Sequence, residues 1–213
     1  MIPPVLVVTA VAAERDAVLA GLPPGHTGVT VTAAGVGPAA AAAGAAWVLA
    51  LAEASGRPYR TVISAGVAGG FPGRAPVGAT VLASRSRQAD LGADSPEGFL
   101  PLERLGLGSG TVAADPVVLA TLQVALPNAI TGEVLTVATV TGTAERAAAL
   151  ASAHPMAVAE AMEGYGVACA AAAAGAAFGE LRTVSNLVGP RDRSAWRMEE
   201  ALAALTAAAT AVF

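Results

Sequence analysis

Short runs of β-branched residues alternate along this chain with longer alanine-rich runs, a pattern that predicts a largely parallel sheet of βαβ type. Val5–Thr9 predicts a buried strand, and Ala13–Leu19 the helix after it. Val29–Ala33 is strand-like, and the turn G-V-G-P opens a helix at Pro38, a favoured first helical position, that runs to about Ala54. Thr61–Ala65 and Ala79–Arg85 predict strands, with the glycine-rich A-G-V-A-G-G-F (Ala65–Phe71) read as a turn between them. Ser86–Leu107, rich in Gly, Pro, Asp and Ser, predicts a long loop, and loops of that length in compact domains are often functional. Beyond it the pattern predicts helices at Pro116–Ala125, Ala144–Ala153, Met162–Ala174 (stopped by Gly175) and Ala195–Val212, and strands at Val134–Val140, Met156–Glu160 and Leu181–Ser185.

No linker-like stretch interrupts this alternation, so residues 1–213 read as one α/β domain: a three-layer α-β-α arrangement around a mixed central sheet. Composition changes the picture in one respect. Hydrophobic residues make up 54% and charged residues only 13%, which raises the question of a membrane. The uncharged run Ala17–Ala52 is broken by Pro23, Pro24, Gly35, Gly37 and Pro38, and Gly164–Gly179 is too short to span, so no membrane partner is expected. The alanine instead predicts closely packed, small-residue helices. The N-terminus M-I-P-P-V-L-V-V-T carries no basic segment before its apolar run, and Cys169 is the sole cysteine, so a cytoplasmic location is expected and Cys169 is read as buried packing. A net charge of −4 without a basic run argues against nucleic acid, and two histidines leave little for a zinc site, so no metal is expected.

Four segments carry candidate chemistry. T-A-V-A-A-E-R-D places Glu14 just after the first strand, where a carboxylate either favours the helix dipole or faces the crevice at the strand ends. A-G-V-A-G-G-F, which includes Gly69, offers backbone N–H groups that can converge on an oxygen. A-M-E-G places Met162 and Glu163 at the start of a helix, and a carboxylate there can accept from two vicinal hydroxyls. T-V-S-N ends the next strand with Ser185 and Asn186. The order strand, M-E, helix, strand, S-N resembles the nucleoside phosphorylase and nucleosidase superfamily, and the likeness runs from Glu14 to Trp196.

The resemblance implies a fold, a substrate class and roles. It implies a nucleoside phosphorylase-like domain that takes a purine nucleoside, works without a metal or organic cofactor, and forms a homo-oligomer in which a neighbour's loop closes the pocket. Glu14 matches the glutamate that activates water, Met162 the methionine under the sugar, and Glu163 the carboxylate on the ribose hydroxyls. Ser185 and Asn186 match the pair that meets the purine, and Gly69 lies in the segment beside the ribose. The run T-V-T-G-T-A-E-R ending at Arg146, which contains Thr141, resembles the base-binding loop, but Glu145 stands where that loop carries its stacking aromatic. Phe71, Phe99 and Tyr165 are the substitutes considered. Glu160, on the opposite face if its strand alternates, is assigned no role.

Most hydrolases of the superfamily that act on adenine nucleosides carry aspartate where this chain has Asn186. Asparagine can pair with adenine or with a 6-oxopurine, but it cannot give up a proton, so it suits the better leaving group, the 6-oxopurine. With L-V-G-P-R-D-R after it, the pattern is most similar to the futalosine hydrolase branch, which removes hypoxanthine from futalosine in menaquinone biosynthesis. Arg87, Arg191 and Arg193 are candidates for the carboxylate of that substrate's benzoate-bearing extension. The alternatives are a methylthioadenosine or adenosylhomocysteine nucleosidase, a purine nucleoside phosphorylase, and a non-catalytic binder that keeps the fold. The arginine-bearing glycine loop that phosphorylases use for phosphate is missing near Glu14, which favours water as the nucleophile.

Overall fold

The computed structural model describes residues 4–213. Its strands are β1 (Val5–Thr9), β2 (Val29–Ala33), β3 (Thr61–Gly70), β4 (Thr80–Gln88), β5 (Gly92–Ser95), β6 (Gly98–Pro101), β7 (Thr111–Ala113), β8 (Ile130–Thr136), β9 (Ala157–Ala161) and β10 (Ala177–Leu187). The helices are α1 (Ala12–Gly21), α2 (Pro38–Ala54), α3 (Leu102–Leu105), α4 (Pro116–Ala125), α5 (Ala144–Ala153), α6 (Gly164–Ala173) and α7 (Met198–Val212), with a 3₁₀ turn at Arg193–Ala195.

The central sheet is mixed. β2, β1 and β3 run parallel, and β3 continues beyond β1 to pair along its full length with parallel β10. β10 then pairs antiparallel with β4, β4 parallel with β8, and β8 parallel with β9. β9 returns antiparallel to β3 at Gly69 and Gly70, so five strands pair in a closed ring and the far half of β3 is enclosed on both sides. β7 pairs antiparallel with β4.

Strand alternation then sets the layers. Val5 and Val7 of β1 pack with Val18 of α1, Leu122 of α4 and Leu205 of α7 on one face. Leu6 and Val8 pack with Ala41, Ala45 and Leu49 of α2 and Val167 and Ala171 of α6 on the other. The alanine-rich composition allows α2 and α6 to approach closely: a Cβ added at Gly166 would lie 2.2 Å from the Pro38 carbonyl oxygen.

Several boundaries differ from expectation, each for a physical reason. A-G-V-A-G-G is the second half of strand β3, and none of Gly66, Gly69 or Gly70 has a positive φ. Glycine is needed there for space, since a Cβ at Gly70 would sit 2.1 Å from the Ala75 carbonyl oxygen. Ser86–Leu107 is not a loop: β4 extends to Gln88, and β5 and β6 form a separate hairpin leading into α3. Its glycines and aspartate read as loop residues because the hairpin is exposed and buries no alternating apolar face. β8 starts at Ile130 and ends at Thr136, after which Ala138 N–H donates to Asp90 Oδ2 at 2.7 Å. The helix expected from Met162 begins at Gly164, and the closing helix begins at Met198. Cys169 is exposed on α6, not buried. Among the described residues, no helix is long and apolar enough to cross a membrane. Met1, Ile2 and Pro3, part of the N-terminal segment read above, lie outside the described residues.

Two predictions follow from this packing. Gly166→Ala forces α6 off α2 and is expected to cost about 1–3 kcal/mol, read from urea unfolding. His154 lies beyond α5 with its Nδ1 3.7 Å from Glu133 Oε1, and burial holds its pKa below the usual value despite that carboxylate. The neutral ring therefore contributes stability above the ordinary histidine pKa, and this is lost as pH falls through the lower folded value. His154→Gln is expected to flatten the fall in melting temperature on the acid side of neutrality; an unchanged slope would rule the histidine out.

Candidate active site

The carboxyl ends of β1, β3, β9 and β10 open into one cavity of about 400 Å³. Ligands in open α/β sheets sit at such strand ends. Glu14, Gly69, Thr141, Met162, Glu163, Ser185 and Asn186 all line it, so these seven sequence candidates are gathered in one place.

Glu14 stands in the first turn of α1 but is only 4% exposed, so it is not a solvated surface carboxylate. Its Oε2 accepts from the backbone N–H groups of Ala10 at 2.9 Å and Val11 at 3.3 Å. This is one half of a capping box, and Val11 has no side-chain acceptor to return the bond. Its Oε1 accepts from Val67 N–H on β3 at 2.9 Å. The convergence expected of the glycine-rich segment therefore falls on Glu14. Gly66 makes room for it, since a Cβ there would lie 2.5 Å from Glu14 Oε1.

Glu163 occupies the N-cap position of α6. Its Oε1 accepts from Gly37 N–H at 3.3 Å, and its Oε2 accepts from its own neighbour's amide, Met162 N–H, and from Arg182 Nη1, each at 3.3 Å. Gly37 has φ +91°, which only glycine adopts readily, so the G-V-G-P turn aims an amide at this carboxylate.

Sequence reasoning missed Arg182. It lies in the middle of β10 with 0% exposure, where a strand pattern predicts an apolar residue. It donates from Nε to Glu180 Oε1 at 2.9 Å and from Nη2 to Ser64 Oγ at 3.0 Å, besides its contact with Glu163. Burial disfavours its charge, but the carboxylates of Glu180, Glu163 and Glu14 outweigh burial and raise its pKa. Burial pushes the Glu180 carboxyl up in turn, against the Arg182 charge, and Glu180 Oε2 has no partner. The only sequence signal was E-L-R (Glu180–Arg182), two opposite charges at strand spacing within an otherwise apolar run.

A bulge shapes the opposite side. On β10, Val184 pairs with Ala68 and Asn186 with Gly69, leaving Ser185 as the extra residue. Strict alternation would send Ser185 and Asn186 to opposite faces; the bulge turns both into the cavity. Ser185 Oγ donates to Asn186 Oδ1 at 2.8 Å, and Asn186 Nδ2 to the Leu187 carbonyl at 3.0 Å. Glu160, assigned no role from the sequence, lines the cavity too. The parity argument fails because β9 ends at Ala161 and Met162–Glu163 form a non-strand turn, so alternation does not carry across. Thr141 donates its backbone N–H to Glu160 Oε1 at 2.8 Å and its hydroxyl to Glu160 Oε2 at 2.5 Å. Burial still raises the Glu160 pKa over those bonds.

The rim is apolar: Val11, Val36, Val140, Leu187 and Met198 line the cavity while remaining exposed. Trp196 lines it as well, with the Arg191 guanidinium 5.4 Å and the Arg193 guanidinium 5.7 Å from its ring centre. Of the three arginines considered, Arg191 is at the cavity, while Arg87 pairs with Glu133 at 3.1 Å on β8. None of Phe71, Phe99 and Tyr165 reaches the lining: Phe71 is core, Phe99 is exposed on the hairpin, and the Tyr165 hydroxyl donates to the Ser109 carbonyl. Trp196 is the aromatic that sequence reasoning passed over. It lies in a turn after the S-N pair, and no periodicity marks it.

Residues 12–213 match the model of the phosphorylase superfamily. A futalosine hydrolase of Streptomyces coelicolor is 53% identical over 216 residues, covering 94% of this chain and 91% of that protein. The chain belongs to the futalosine hydrolase family of the phosphorylase superfamily. A futalosine hydrolase of Acidothermus cellulolyticus is 50% identical over 226 residues, covering 95% and 90% of the two chains. Among solved structures, the native futalosine hydrolase of Helicobacter pylori superposes with TM-score 0.81 at 18% identity over 100% of this chain and 97% of that one. A methylthioadenosine/adenosylhomocysteine nucleosidase of Colwellia psychrerythraea, in complex with adenine, also gives TM-score 0.81, at 20% identity over 99% and 95%. These two likenesses establish the fold that the family shares.

The buried network yields a stability prediction. Arg182→Met leaves Glu180 and Glu163 without their guanidinium and is expected to cost about 3–5 kcal/mol in chemical denaturation. A loss under 1 kcal/mol would mean the carboxylates are held by other groups.

Proposed function

We propose that this chain hydrolyses the N-glycosidic bond of futalosine, releasing hypoxanthine and dehypoxanthinyl futalosine in menaquinone biosynthesis. The observation that carries the reading is the single cavity that gathers Glu14, Glu163, Ser185 and Asn186, in a chain 53% identical to a futalosine hydrolase. The adenine-releasing alternative is supported only by likeness at 20% identity, which speaks to fold.

The chemistry follows from the placement. The ribose lies against Glu163, whose oxygens accept from its two hydroxyls, with Met162 beneath the ring and Gly69 beside it. Water held by Glu14 attacks the anomeric carbon. As the bond to the purine breaks, its electron pair leaves with the base, and cationic character builds on the sugar between carboxylates that stabilise it. The proton lost by water passes to Glu14. Asn186, oriented by Ser185, donates a hydrogen bond to ring nitrogen seven, which suffices for a 6-oxopurine; the departing base takes its proton from solvent. Thr141 acts from the base side. Only side chains and water take part in these steps.

The apolar rim and Trp196 suit the aromatic extension of the substrate, and Arg191 beside them suits its carboxylate. Exposed valines and leucine at a cavity mouth also suit burial against a second copy of the chain, and a cytoplasmic homo-oligomer is part of this reading.

Incubation with futalosine and, separately, methylthioadenosine, each with and without phosphate, should release hypoxanthine from the first alone and independently of phosphate. Adenine release, or ribose 1-phosphate as product, would replace the reading with one of its alternatives. Glu14→Gln and Glu163→Gln should each lower kcat/KM by about 100-fold or more; turnover at the parent rate would remove that residue from the mechanism.

A further inference from the structure

The sheet places two polar side chains on either side of one glycine. Gly69 of β3 pairs with Asn186 on β10 and with Glu160 on β9. Adjacent strands lie about 4.8 Å apart, so the Asn186 and Glu160 backbones face each other across about 10 Å. Gly69 contributes no side chain to the gap, and a Cβ there would lie 3.4 Å from Asn186 Nδ2. Asn186 and Glu160 both line the cavity.

Glu160 is a costly residue to keep there. It is 6% exposed, and no cation among the described residues lies within 4.0 Å of it. Its two hydrogen bonds come from one residue, Thr141, and occupy one site on each oxygen. A carboxylate has about four acceptor sites, so about two stay open toward the cavity. An open acceptor on a buried carboxylate calls for an N–H donor. A 6-oxopurine carries such a donor at ring nitrogen one; adenine carries a lone pair at the same place. Asn186 can pair with either base, whereas an open carboxylate acceptor facing ring nitrogen one would distinguish them.

Resting on the nucleoside reading given above, we propose that Glu160 is the specificity-determining residue for the base, accepting the ring N1–H of a 6-oxopurine and repelling adenine. Thr141 positions it. Discrimination thus has two parts: Asn186 supports departure of the base, and Glu160 reads its edge.

Glu160→Gln tests this directly. With its carbonyl oxygen held by Thr141 N–H, the glutamine turns its NH₂ into the cavity, a donor matched to adenine and mismatched to hypoxanthine. The ratio of kcat/KM for futalosine to that for its 6-amino counterpart should fall at least about tenfold. Thr141→Val, which weakens the tie but keeps the acceptor, should slow both substrates and leave the ratio near the parent value. Calorimetric binding of free hypoxanthine, adenine and 1-methylhypoxanthine reads the same contact without catalysis: the parent should prefer hypoxanthine over both others, and Glu160→Gln should lose that preference. An unchanged hypoxanthine-to-adenine ratio in Glu160→Gln, by turnover or by binding, overturns the proposal. Hydrolysis of neither nucleoside by the parent protein would overturn the functional reading instead, and the binding series would still decide the role of Glu160.

Discussion

One buried guanidinium holds one wall of the cavity together. Arg182 is fully enclosed in β10, bonded to Glu180 on its own strand, to Ser64 on β3 and to Glu163 at the cap of α6, within the field of Glu14 on α1. Four elements therefore meet on one cation. Burying ions costs several kcal/mol each unless they are paired and hydrogen-bonded, so the arrangement is tolerated only because each partner is fixed. That constraint propagates into backbone choices. Gly66 and Gly164 flank the cluster, and a Cβ at either would lie within 2.5 Å of a Glu14 or a Glu180 oxygen respectively. Gly66, read from the sequence as part of a turn, and Gly164, read as part of a helix, are spaces cleared for charge.

The far side of the cavity is built differently. Asn186, Ser185, Glu160 and Thr141 depend on a bulge in β10 and on the segment between β8 and α5, joined by hydrogen bonds between near neighbours. On the proposed reading the sugar end is thus locked by ions in the core, while the base end is tuned by short polar contacts at the strand ends. Such a division lets the base contacts change without disturbing the ionic cluster. It is consistent with one fold serving both the adenine-bound nucleosidase and the futalosine hydrolases that superpose on it.

The sequence carried the frame well where one signal dominated. Pro38 and Pro116 at first helical positions, and Gly175 at a helix end, marked boundaries that the structure reproduces. Motif order brought Glu14, Met162, Glu163, Ser185 and Asn186 to one cavity although they span most of the chain. What stayed hidden depended on long-range partners. Arg182 looks anomalous in a strand until the carboxylates from other elements are placed around it. Glu160 was misjudged because strand parity ends where the chain leaves the sheet. Trp196 sits in a short turn with no period, and the β5–β6 hairpin buries too little to leave an alternating pattern.

The charge balance also bears on the choice of nucleophile. The cavity lining brings two carboxyl groups, Glu14 and Glu163, to its floor, and the one guanidinium behind them, Arg182, is shared with the buried Glu180. Such an arrangement favours the cationic sugar that forms as the base departs and opposes an incoming phosphate dianion. Among the described lining residues Arg191 is the one cation, and it stands exposed at the mouth beside Trp196, away from the amides of Ala10, Val11 and Val67 that hold Glu14. Phosphate would need positive charge or free N–H groups at that floor, and the amides of Ala10, Val11 and Val67 are already spent on a carboxylate. Water carries no such requirement. The same three N–H bonds fix Glu14 in place, so on the proposed mechanism the choice of nucleophile and the orientation of the base that activates it come from one set of contacts.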